Sequence, residues 1–255
     1  MNTNEALPVA EQPGKEVLIN VVLDRSGSME SCREATISGY NEYLKGLAAD
    51  KETKYSVSLL QFDSPNNTPE LTVSYADKPL AEVPALDMNG YAPRGMTPLY
   101  DAVGECCRRV DAKGRAVITV IITDGEENAS HEFTRESVKQ LIAAKEKEGW
   151  GFVFLGANID AKAVGGAMGV AANQSYNYVA SAAGVKSLYS NVVKSTSLRS
   201  AHVRSVGATA AASMSFMSKE QEDELVNPHS VSAPPAPSVP QPVSKRRDWK
   251  VKLPV

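Results

Sequence analysis

Residues 17–28 read VLINVVLDRSGS, and residues 116–126 read AVITVIITDGE. Each opens with a short, nearly unbroken aliphatic run and ends at an aspartate, Asp24 in the first and Asp124 in the second. A run that is apolar at every position suits a central parallel strand with both faces covered by helices. Further strands are expected at 55–62 (YSVSLLQF) and 152–155 (FVFL), with a short last one within 175–179. The stretch 71–75 (LTVSY) alternates apolar and polar residues, as a half-exposed edge strand does. Between these runs the spacing changes to three and four. Ile37, Tyr40, Leu44 and Leu47 share a face over 32–47, and Leu99, Val103, Cys106 and Val110 share one over 98–110. Val138, Leu141 and Ile142 mark a third helix at 134–148, with Thr134 as N-cap and Gly149 as its stop. Two later helices are expected at 160–168 and 182–198.

Strand and helix in alternation predict an α/β fold: three layers, doubly wound, with a mostly parallel Rossmann-like sheet and one antiparallel edge strand. The domain should span 15–200, after a flexible N-terminus at 1–14. Residues 201–226 are rich in small side chains and read as a linker or a frayed helix. Residues 227–255 are dominated by Pro, Ser and Val before a basic, Trp-containing end, KRRDWKVKLPV. Such a composition cannot build a packed core, so a disordered tail is expected there.

The chain has 255 residues, 42% hydrophobic and 22% charged, with a net charge of −3. That balance gives no general field for nucleic acid or an anionic membrane surface. No apolar run has transmembrane length, and the polar start MNTNEALPVAEQPGKE lacks the features of a secretory signal. A cytoplasmic protein is the expectation. Its three cysteines, Cys32, Cys106 and Cys107, form no CxxC pair and read as packing residues.

The chemistry gathers where the two aliphatic runs end. Ligands of open α/β sheets bind outside the carboxyl ends of the strands, where Asp24 and Asp124 fall. Gly27 lets Asp24-Arg25-Ser26-Gly27-Ser28 turn tightly, so one carboxylate and two hydroxyls can face one small volume. In Gly95-Met96-Thr97-Pro98-Leu99, Pro98 suits a first helical position and Thr97 its N-cap, with the Thr97 hydroxyl turned to the same edge. Asp24, Ser26, Ser28, Thr97 and Asp124 are all oxygen donors, a set that suits Mg²⁺, with Mn²⁺ possible. Each motif alone also fits plain helix capping. Asp63 could sit near the site or form a turn. Glu126, Glu127 and His131 could rim it or be solvated loop residues.

Taken together, these motifs resemble von Willebrand factor A domains over roughly 185 residues. Asp24-Arg25-Ser26-Gly27-Ser28 matches their DxSxS motif, Gly95–Leu99 their threonine loop, and Thr123-Asp124-Gly125 their second aspartate. The resemblance implies a metal-ion-dependent adhesion site, in which a carboxylate from a partner protein completes the coordination of the ion. It also implies a cytosolic bacterial or phage type. Such proteins resemble accessory subunits of AAA+ ATPases of the MoxR or chelatase type, or parts of virions. A phosphohydrolase of the haloacid dehalogenase type also starts from an Asp after a buried strand. That chemistry needs a second acid two positions on, where this chain has Ser26. There is no P-loop or dinucleotide-binding glycine fingerprint either. The expectation is a binding module, not an enzyme.

Overall fold

The computed structural model describes residues 16–228. The expected flexible start at 1–14 and the tail from 229 to 255 lie outside the described residues. Six strands form one sheet: β1 (Glu16–Asp24), β2 (Lys54–Asp63), β3 (Glu70–Pro79), β4 (Ala116–Thr123), β5 (Trp150–Ala157) and β6 (Ser175–Tyr178). Their order is β3-β2-β1-β4-β5-β6. Every neighbouring pair is parallel except β2 and β3, which run antiparallel with register shifts opposite Val57 to Leu60, where β3 carries the extra residues. The edge strand was therefore read correctly, and it is longer than the alternation suggested.

Seven α-helices accompany these strands among the described residues, the last three following β6: α1 (Arg33–Ala49), α2 (Leu99–Arg109), α3 (Arg135–Lys147), α4 (Ala161–Ala167), α5 (Ala182–Val206), α6 (Ala208–Ser213) and α7 (Lys219–Val226). Successive residues of a strand face opposite sides, which explains the unbroken apolar runs. Val17, Ile19, Val21 and Leu23 of β1 pack with Tyr40 and Tyr43 of α1 and with Leu188, Tyr189 and Val192 of α5. Leu18 and Val22 face the other way, towards Val103 and Cys106 of α2 and Val138 and Ile142 of α3. Helices α1 and α5 approach closely at Gly39, where a Cβ would overlap the Tyr189 ring. All three cysteines are buried and free. None of the described helices is long and apolar enough to cross a membrane.

One expectation is overturned. Residues 201–226 are neither a linker nor a frayed end. Helix α5 runs on to Val206, and α6 and α7 fold back onto the domain. Val203, Ala211, Phe216, Met217 and Leu225 are buried in the same core as β1. The buried Arg199 ties this return together. It donates to the carbonyls of Ala212 (3.1 Å) and Met214 (2.7 Å) and to Gln174 Oε1 (3.0 Å). The stretch reads as featureless because its small residues carry little periodicity, while its few large apolar side chains find their partners only in three dimensions.

Candidate metal centre

Strand β1 lies beside β4, with Leu23 level with Ile122. From β1 the chain winds outward to β2 and β3, then crosses back to start the other half of the sheet at β4. The carboxyl ends of β1 and β4 are therefore the switch point at which open α/β sheets place ligands. Asp24 closes β1, and Asp124 directly follows the end of β4. Both side chains are buried.

A chain of hydrogen bonds joins them. Asp24 Oδ1 accepts from the backbone N–H of Ser26 at 2.6 Å, and Asp24 Oδ2 accepts from the Thr123 hydroxyl at 2.6 Å. The Ser26 and Ser28 hydroxyls are 3.2 Å apart, and Ser28 Oγ donates to Asp124 Oδ1 at 2.5 Å. Thr97 is buried, and its hydroxyl lies 3.3 Å from where a Cβ would stand on Gly125, the neighbour of Asp124. All five residues expected from the sequence thus meet at one sheet edge.

Their environment disfavours negative charge. Burial pushes the Asp24 carboxyl up to about 7, outweighing its bonds from Thr123 and Ser26, with Asp124 adding a smaller repulsion. Burial also raises Asp124, opposed by the bond from Ser28. A divalent cation would relieve both effects at once. The donors are two carboxylates and three hydroxyls, all hard oxygens, and they fit such an ion. Among the described residues no group of three or more His, Cys, Asp or Glu side chains is placed to hold a metal ion.

The capping readings fail on geometry. Thr97 is not the N-cap of α2; that position belongs to Pro98, and no side chain caps it. Instead Thr97 is held through its backbone, its N–H donating to Asn128 Oδ1 at 2.8 Å and its carbonyl accepting from Asn128 N at 3.1 Å. Ser26 precedes a short 3₁₀ turn without capping it. Glu127 is not a free rim acid, since its carboxylate accepts from the N–H groups of Tyr100, Ala129 and Ser130 and from the Ser130 hydroxyl. Asp101 does the same for His131, Glu132 and Phe133. These bonds fasten the loop after β4 onto the start of α2 and so place Thr97. Glu126 and His131 stay exposed. Asp63 lies wholly buried between Arg25 and Arg94.

Sequence reasoning missed Thr123, Asn128 and Asp101. A lone Thr ending an aliphatic strand was a usable signal. The Asn and Asp residues had none, because turn-formers are common in any loop.

No protein-family profile and no curated protein sequence matches the chain. Solved structures do match. Proximal thread matrix protein 1 from the mussel byssus, with a zinc-occupied MIDAS (metal-ion-dependent adhesion site) motif, superposes with a TM-score of 0.52 at 14% identity, over 73% of this chain and 47% of that one. The pilus adhesin SpaC from Lactobacillus rhamnosus GG gives 0.55 at 14% identity, over 72% and 31%. The PilB minor pilin from Streptococcus sanguinis gives 0.53 at 12% identity, over 74% and 63%. This chain spans less than two thirds of each of those proteins. At such identities the likeness shows the fold alone, a doubly wound α/β domain on a mostly parallel six-stranded sheet.

Proposed function

We propose that this chain is a metal-dependent protein-binding module. Asp24, Ser26, Ser28, Thr97 and Asp124 would hold Mg²⁺, or Mn²⁺ in its place, directly or through water. The ion supplies a directional positive charge that a carboxylate from a partner protein can bind. The observation that carries this reading is the meeting of two buried carboxylates through Ser28 at the switch point of the sheet. The zinc-occupied motif of the mussel protein supports metal binding on this fold.

A component of a larger assembly is the second reading, favoured because similar chains are pilus and byssal-thread proteins. An AAA+ ATPase would be one partner of that kind. Catalysis is not proposed, since Ser26 stands where a phosphohydrolase needs its acid.

Calorimetry tests the metal first. Mg²⁺ and Mn²⁺ should bind and raise the Tm, and EDTA should reverse the rise. No heat and no Tm shift at millimolar concentrations of either ion would sink the assignment. Partner capture from the native host should then be lost in EDTA and in Asp24→Ala and Thr97→Ala. Capture that survives EDTA would rule out a metal bridge.

A further inference from the structure

We propose that Asp63 is a positioning residue for the metal centre, locking the loop that carries Ser26 and Ser28 to the loop that carries Thr97. The inference rests on the metal-binding reading above. Asp63 ends β2 and is wholly buried, a costly place for a carboxylate unless cations and hydrogen bonds surround it. Two arginines do so. Arg25 grips it with two bonds, Nε to Oδ2 at 3.0 Å and Nη2 to Oδ1 at 3.1 Å. Arg94 Nε donates to the same Oδ2 at 2.7 Å. Charge-assisted bonds of this forked kind fix geometry as well as energy.

The two arginines belong to the two metal-site loops. Arg25 is the residue between Asp24 and Ser26, and Arg94 stands three before Thr97. Their backbones are also cross-linked. Arg25 N–H donates to the Phe62 carbonyl at 2.8 Å, Arg94 N–H to the Arg25 carbonyl at 2.8 Å, and Gly27 N–H to the Gly95 carbonyl at 3.1 Å. Gly95 has a φ of +65°, and a Cβ there would overlap the Ser64 carbonyl, so this crossing requires glycine. Asp63 is thus the side-chain anchor of a joint among segments 24–27, 62–64 and 94–97. Loosening it should let Ser26, Ser28 and Thr97 drift relative to one another without removing any metal donor.

The test uses the full chain with Asp63→Asn and, separately, Arg94→Gln. Three quantities are read: Mn²⁺ affinity by calorimetry, the electron paramagnetic resonance spectrum of bound Mn²⁺, and Tm in EDTA. Asp63→Asn should weaken Mn²⁺ roughly 10- to 100-fold, the usual effect of losing a group that orients metal ligands. It should also change the Mn²⁺ line shape. Arg94→Gln, at a half-exposed side chain, should produce a smaller loss in the same direction, and it decides the matter if Asp63→Asn does not fold. A lower Tm in EDTA with unchanged Mn²⁺ affinity and spectrum would overturn the proposal and leave Asp63 as a fold element only. Absence of Mn²⁺ binding by the unsubstituted chain would instead defeat the metal-binding reading itself, and this one with it.

Discussion

Asp24 carries the largest electrostatic strain at the site, and its substitution separates metal binding from stability. Burial raises its carboxyl from 3.8 to about 7, so the folded chain holds a proton that the unfolded chain has released. Between those two values, metal-free stability should therefore fall as pH rises, and above about 7 it should level off. Melting curves in EDTA from pH 4 to 8 should show this decline, and saturating Mg²⁺ should flatten it. A Tm in EDTA that does not fall across that range would contradict it. Asp24→Asn removes the buried charge and keeps the shape. Its amide can donate to Thr123 Oγ1 while the Thr123 hydroxyl turns to the Gly125 carbonyl, 3.0 Å away. At pH 8 in EDTA this variant should melt above the parent chain, and its Mg²⁺-dependent rise in Tm should vanish. The aspartate is thus expected to lower stability in the service of binding.

Individual elements owe their ends to local bonds that differ in purpose. Helix α3 starts with a capping box, in which Thr134 accepts from Ser137 N–H and the Ser137 hydroxyl accepts from Thr134 N–H. That cap lies at an exposed end and serves only the helix. Thr134→Ala should cost about 1 kcal/mol in urea unfolding while leaving Mg²⁺ affinity unchanged. A loss of affinity would mean that α3 feeds into the site. Helix α2 is different: its start lacks a side-chain cap and is tied instead to the loop after β4 through Glu127 and Asp101. The Thr134 cap was legible because Thr followed by a periodic apolar face is a local pattern. The ties on α2 were not, since Asp101 bonds residues thirty or more positions away.

For the molecule as a whole, the return of the chain after α5 matters most. Arg199 is buried with its charge satisfied by carbonyls and the Gln174 amide oxygen, with the Phe216 ring 5.4 Å away. Burial accordingly lowers its pKa to about 10. Arg199→Ala should strip these bonds and cost roughly 2–3 kcal/mol in urea unfolding, the scale of charge-assisted hydrogen bonds. A linker at 201–226 would predict no change. The sequence by itself determined the layered α/β sheet with its antiparallel edge and pointed to five residues that share one sheet edge, because strand runs, helical spacing and turn glycines are written over short distances. Tertiary structure decided what long-range contact controls. It joined Ser28 to Asp124, buried Asp63 between two arginines from separate loops, and drew α6 and α7 into the core. Those outcomes depend on which side chains meet across the fold, and residues far apart in a chain carry no local pattern that announces their meeting.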